Sequence, residues 1–309
     1  DYTRINPAMD EHGEINILIF NGLTAHDGDN QVVPGLAESW DFDDETNTYT
    51  FHMAEDAKWQ DGEPVTADDV KFTIEAIMDP ENGSENAPNY EDVEEINVID
   101  DHTVAFKLED KNVAFLDYMT MAVLPKHLLE GEDMQTSDFF RSPVGTGPYK
   151  IEEFNGVGVG YTLAANEYYR EDVPYDKVNL LFMGDNSAKT MALQSGQVDL
   201  VENITNVADI QDFQDNDDYT VDIASGVRCG FAWMNFDGVL GNKTLRQAIL
   251  MAIDNDTICN SRTIGGLYTP GFSVLPSTLN YDYDKLENPY TYDPEKAKQI
   301  LDEIGRAHV

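Results

Sequence analysis

Apolar and polar residues alternate over residues 49–54, with Tyr49, Phe51 and Met53 on one side and Thr50, His52 and Ala54 on the other. A period of two predicts a half-buried strand. Asp61-Gly62 then marks a turn. Thr66 stands where a helix N-cap belongs, and Asp68 and Asp69 fall in the first turn, where carboxylates suit the helix dipole. Val70, Ile74 and Ile77 follow at helical spacing. A second alternating strand is predicted over Thr103–Leu108, after the turn at Asp100-Asp101. Before these, residues 15–23 are apolar with a helical pattern and Gly22 as their stop, and Asp27-Gly28-Asp29-Asn30 is a turn. Residues 79–95, rich in Asn, Pro and Glu, are expected as a loop, and residues 113–129 as a helix broken by Pro125.

The later half reads in the same way. A helix over residues 187–194 is closed by Gly196, a buried strand is expected over residues 198–201, and another strand within residues 221–236. Residues 244–254 form an amphipathic pattern with Leu245, Ala248, Ile249 and Ala252 inward. A last helix is written out fully: Asp293 as N-cap, Pro294 at its first position, Glu295 in the first turn, and Ala297, Ile300, Leu301 and Ile304 as its apolar stripe. Gly305 is placed to stop it. Strands alternating with helices predict an α/β fold.

A length of 309 residues suits roughly two domains. The chain carries 19 basic and 59 acidic residues, a formal charge of −40. That excludes nucleic acid as a partner, which needs basic patches, and argues against docking on anionic lipid through a basic surface. A solvated acidic surface accounts for the charge, with attraction of cations or tolerance of high salt as the specific alternative. No apolar run is long enough to span a bilayer. No leader is visible, but the chain opens at Asp1 as if already trimmed, which gives no reason to place it in the cytoplasm. Cys229 and Cys259 fit either a disulfide in an oxidising compartment or two separate buried thiols.

Catalytic patterns are missing. The sequence has no Gly-x-Ser-x-Gly elbow, phosphate-binding Gly-x-x-x-x-Gly-Lys, His-Glu-x-x-His or Cys-x-x-Cys. Gly145-x-Gly147 and Gly156-x-Gly158-x-Gly160 are too loose for dinucleotide binding. Asp27, Asp29, Gln31 and Glu38 have part of a calcium-loop spacing, but Val32 stands where that loop needs glycine. Paired carboxylates such as Asp43-Asp44 are expected by chance at this acidity. His52 is expected on the surface and His127 in a structural role. His12 differs from them, because Asp10-Glu11-His12-Gly13 is a polar loop just ahead of an apolar helix.

Residues 34–72 (PGLAESWDFDDETNTYTFHMAEDAKWQDGEPVTADDVKF) and 143–150 (PVGTGPYK), with Phe20-Asn21-Gly22-Leu23, Ser195-Gly196-Gln197-Val198-Asp199-Leu200, Trp233-Met234-Asn235-Phe236, Leu245-Arg246-Gln247-Ala248 and Tyr292-Asp293-Pro294-Glu295-Lys296-Ala297, form an ordered set. In that order the chain resembles the family-five extracellular solute-binding proteins of ABC importers, which carry oligopeptides, dipeptides or nickel. The resemblance implies a two-lobed, type II periplasmic-binding-protein fold. Residues 1–45 would open the main lobe, 46–160 form an inserted smaller lobe, 161–265 return to the main lobe, and 266–309 begin a third region. The two glycines and two prolines of residues 143–150 would fix a sharp path between lobes.

What binds where also comes from the resemblance. The interlobe cleft would be lined by Glu11, His12 and Gly13, by Glu202 and Asn203, and by Arg228, Phe231 and Trp233, with Tyr90 as a lid contact. The implied ligand is a short peptide, the implied partners are the importer's permease subunits, and the implied product is an exported monomer, periplasmic or lipid-anchored. No catalytic residue or cofactor is implied. A nickel or metal-chelate receptor, with His12 as a metal contact, is the alternative. A sensory or adhesion module and an extracellular hydrolase are the readings from other classes. Family members run longer than this chain, and the residues that set their ligand choice lie in the part beyond it. The string 304–309 resembles one frame of a common sequencing adapter, so residues 306–309 are expected to be foreign and His308 to have no role.

Overall fold

The computed structural model describes residues 3–9, 13–223, 226, 229–261, 265–274 and 287–307. The chain divides into two compact units, residues 1–182 and 183–309.

The first unit opens with α1 (Gly13–Ile19), then β1 (Thr24–His26) and β2 (Val32–Pro34), which pair as a small antiparallel ribbon. The expected stop at Gly22 comes early, because the chain leaves the helix after Ile19. There the Ile19 carbonyl accepts from the Gly147 N–H at 2.8 Å, not from a further helical turn. β3 (Ala37–Asp43), β4 (Thr48–Met53), α2 (Ala67–Met78), β5 (Val93–Asp100) and β6 (Thr103–Leu108) follow. Their sheet has the order β3-β4-β6-β5 and is antiparallel throughout. β4 buries Tyr49, Phe51 and Met53, the face its alternation assigns to the core. Phe51 meets Phe106 edge-on at 5.8 Å, and Phe115 lies 5.4 Å from Phe106. β5 begins inside the stretch read as a loop. Its edge carries Glu94 and Glu95 in succession, which hides the alternation that marks β4.

Residues 113–129, read as a helix broken by Pro125, hold two single-turn helices, α3 (Phe115–Tyr118) and α4 (Lys126–Leu129), the second beginning directly after that proline. β7 (Tyr149–Gly156), β8 (Gly160–Ala165) and β9 (Lys177–Leu181) make an antiparallel sheet in chain order. Position 45/46 lies in the turn between β3 and β4, and position 160/161 lies inside β8. The change of unit comes later, after Phe182.

The second unit is built from α5 (Asn186–Gln194), α6 (Val207–Gln214), α7 (Lys243–Ala252), α8 (Asn255–Cys259) and α9 (Pro294–Ala307). Side chains of Asp185, Asn206, Asn242 and Asp254 cap the first four, and the Asp293 carboxylate accepts from the Lys296 N–H at 2.9 Å. Each cap satisfies a helix N–H that lacks a partner inside the helix. Ala248 and Met251 of α7 are buried, as is Ala297 of α9, while Ala252 faces solvent. α9 runs through Gly305, so that glycine does not end it. The strand expected over residues 198–201 does not form, and Leu200 is exposed. No strand forms among the described residues of 221–236 either.

Candidate functional site

The first unit holds four of the site residues taken from the resemblance, two of them among the described residues. Gly13 is the first residue of α1. Its neighbours Glu11 and His12 lie outside the described residues, as does Arg228 of the second unit. Tyr90 ends a single 3-10 turn, Ala87–Tyr90, and is fully buried. Its hydroxyl donates to the Tyr118 carbonyl at 2.7 Å, and burial raises its pKa well above the ordinary phenol value. This corrects the expectation of a lid contact: Tyr90 is a core residue with its one polar atom used internally.

Glu202 and Asn203 lie in the exposed, non-helical link between α5 and α6. Asn203 has a φ of 58°, in the left-handed region that asparagine tolerates better than most residues. The link is tied to α5 from both sides. Lys189 Nζ donates to the Glu202 carbonyl at 3.3 Å, and Asn186 Nδ2 donates to Thr205 Oγ1 at 2.7 Å. These ties leave the Asn203 side chain at the solvent face of a held turn.

Phe231 and Trp233 are the pair that the structure brings into contact. Their ring centroids are 4.9 Å apart at 67°, an edge-to-face arrangement. Yet Trp233 is 88% exposed and Phe231 55%. Both rings therefore present apolar surface within the second unit. Phe236, three residues on, is also exposed, and the Arg246 guanidinium lies 4.3 Å from its ring centre.

Other polar candidates are internally engaged. Asp27 Oδ1 accepts from the N–H groups of Asp29 at 2.9 Å and Gln31 at 2.8 Å, so the loop with partial calcium spacing is an Asx turn. His52 pairs with Asp41 at 3.1 Å on the face of the sheet, and His127 with Asp61 at 2.8 Å. Among the described residues no group of three or more His, Cys, Asp or Glu side chains is placed to hold a metal ion. Cys229 and Cys259 are half-buried free thiols.

Sequence reasoning passed over Gln60 and gave Asp69 only a place in the first turn of a helix. Both are buried polar side chains holding segments distant in sequence. Gly145 and Gly147 were the one sequence signal near Gln60, since glycine marks places where two backbones come close.

The described residues form helices and strands and carry an exposed aromatic pair. Comparison places the chain. Residues 31–307 match the family model described as bacterial extracellular solute-binding proteins, family 5 Middle, and the chain belongs to that family. It is 32% identical to a putative ABC transporter peptide-binding protein of Brucella ovis, over 94% of this chain and 55% of that protein. Among solved structures it is similar to NikZ from Campylobacter jejuni in complex with Ni(L-His), with a TM-score of 0.82, 30% identity, and coverage of 98% of this chain and 61% of that one. It is also similar to the oligopeptide-binding protein AppA of Bacillus subtilis in complex with a nonapeptide, with a TM-score of 0.74, 27% identity, and coverage of 98% and 62%. The fold is that of the type II periplasmic binding proteins. The chain spans about half the length of the curated relatives it matches. No helix among the described residues is long and apolar enough to cross a membrane.

Proposed function

We propose that this protein is the solute receptor of an ABC importer, that it captures short peptides outside the cytoplasm, and that it delivers them to membrane permeases without transforming them. Family membership over residues 31–307 carries the reading, and the likeness to peptide-binding proteins of Brucella ovis and Bacillus subtilis supports a peptide as the ligand. Phe231 and Trp233 act as an apolar wall for the peptide, and Asn203 and Glu202 supply polar contacts. Glu11, His12, Gly13 and Arg228 complete the contact set. The receptor works as a monomer, either free in the periplasm or held by a lipid anchor.

Tryptophan emission tests this directly. Of the three tryptophans, Trp59 is fully buried and Trp40 half-buried, whereas Trp233 is 88% exposed. Peptide binding is expected to shift emission to shorter wavelength, and Trp233→Phe to abolish the shift. Trp233→Ala should weaken peptide affinity by about 2 kcal/mol, roughly thirtyfold, as for a buried aromatic anchor. Asn203→Ala should weaken it less. Unchanged affinity in both alanine variants removes these residues from the site.

A nickel-chelate receptor is the second reading, favoured by the likeness to NikZ with Ni(L-His). In that case His12→Ala lowers metal affinity, and peptides leave the emission unchanged.

A further inference from the structure

We infer that Gln60 is a positioning residue: its one buried side-chain amide pins the end of α1 against residues 143–150, and through α1 sets the position of Gly13, a proposed ligand contact. The second half of this inference rests on the proposed function; the pin itself does not. Gln60 is only 6% exposed, directly after the fully buried Trp59. Its Nε2 donates to the Tyr149 carbonyl at 2.7 Å and the Ile19 carbonyl at 3.1 Å, with the Gly147 carbonyl at 3.5 Å. Its Oε1 accepts from the Gly145 N–H at 2.9 Å, and its own backbone N–H donates to the Gly145 carbonyl at 3.0 Å. The Gly145 N–H requires an oxygen opposite it, which fixes which end of the amide is which.

Ile19 closes α1, so its carbonyl is one of those the helix leaves without an internal partner. It receives two donors here, Gln60 Nε2 and the Gly147 N–H. The approach is close enough that a Cβ on residue 145 would stand 1.9 Å from the Ile19 oxygen. Asn21 adds a tie just beyond, its N–H donating to Thr146 Oγ1 at 3.0 Å. The segment read as a sharp path between lobes is therefore a clamp, and the Gln60 amide hydrogen-bonds both to the end of α1 and to the start of β7. α1 has seven residues and is about 10 Å long, too short to bend, so displacing one end displaces the other. Its other end is Gly13.

The test compares Gln60→Leu with Thr73→Val in the full chain. Thr73 is equally buried, and its hydroxyl also bridges distant segments, donating to the Asp69 carbonyl and accepting from the Leu124 N–H, both at 2.8 Å. It does not touch α1. Two quantities are read: hydrogen exchange at the amides of residues 17–20, and affinity for trialanine. Gln60→Leu is expected to speed that exchange at least tenfold and weaken trialanine at least fivefold. Thr73→Val should leave both within twofold even where its melting temperature falls as far. Gln60→Glu keeps the acceptor for Gly145 and loses the donors, and serves where the leucine variant does not fold; it should fall between parent and Gln60→Leu. Equal effects from the Gln60 and Thr73 variants, or unchanged exchange in the Gln60 variants, overturn the pin. Faster exchange in a protein whose parent ignores trialanine supports the pin and counts against the peptide reading.

Discussion

Adding a single carbon at Gly145 would place it 1.9 Å from the Ile19 oxygen, and neither backbone can retreat without breaking the bonds around Gln60. Gly145→Ala is therefore expected to destabilise the first unit by roughly 3 kcal/mol or more, read as a lower denaturant midpoint. An unchanged midpoint would mean that the clamp yields easily. Tyr90→Phe should cost only about 1 kcal/mol, the net value of one hydrogen bond with its acceptor left buried, and should leave ligand affinity intact. Loss of affinity in that variant would return Tyr90 to the ligand. Residue roles were the least legible part of the sequence. Tyr90 sits in a loop composition full of Asn, Pro and Glu, which hides that the ring fills a core beside Tyr118, 6.4 Å away. Gln60 has partners 41 to 89 residues distant, so no local pattern could announce it.

Elements that a local rule determines came out as read. The α2 N-terminus is the clearest case. Thr66 and Asp69 form a reciprocal cap in which the Asp69 carboxylate accepts from the Thr66 N–H at 2.8 Å and its hydroxyl at 3.1 Å. The other Asp69 oxygen accepts from the Lys126 N–H at 2.9 Å, which fastens α4 to α2. Asp69→Ala should cost about 2 kcal/mol or more, because three donors lose a largely buried acceptor, while Asp68→Ala, on an exposed carboxylate, should cost little. Equal costs from urea unfolding would deny the cap its role. β4 and β6 were legible for the same reason, each burying the face its own alternation marks, whereas α7 turns Ala248 inward as read but leaves Ala252 exposed. The apolar run at residues 198–201 misled, since Val198, Leu200 and Val201 have no sheet to join within their unit and stay at least partly exposed. Pattern shows which face seeks burial; it does not supply the partner.

At the scale of the molecule the two units differ in core and in charge. The seven largest fully buried side chains, Trp59, Tyr90, Tyr161, Phe51, Phe106, Phe115 and Phe140, all lie in the first unit. In the second, the buried apolar residues are Ala192, Phe213, Ala248, Met251 and Ala297 among those described. Calorimetry of this chain should accordingly show two transitions, the second unit melting first. One sharp transition would show that the units unfold together. Of the 59 acidic residues, 40 fall in the first unit against 10 basic ones, so self-repulsion acts mainly there. Raising sodium chloride from about 0.05 to about 0.5 M, which shortens the screening length severalfold, should raise the later transition more than the earlier one. The type II binding-protein fold was legible from ordered motifs spread along the chain, because each marks a turn or cap that the fold reuses; ligand choice was not, because few side chains decide it. The most direct test of solute capture is native mass spectrometry of the protein, expressed over the full length of its gene and purified without denaturation. A ladder of added masses matching short peptides is the predicted result. A single metal-sized increment removed by chelator would contradict the peptide assignment, and an unliganded protein that releases altered peptides would contradict the receptor itself.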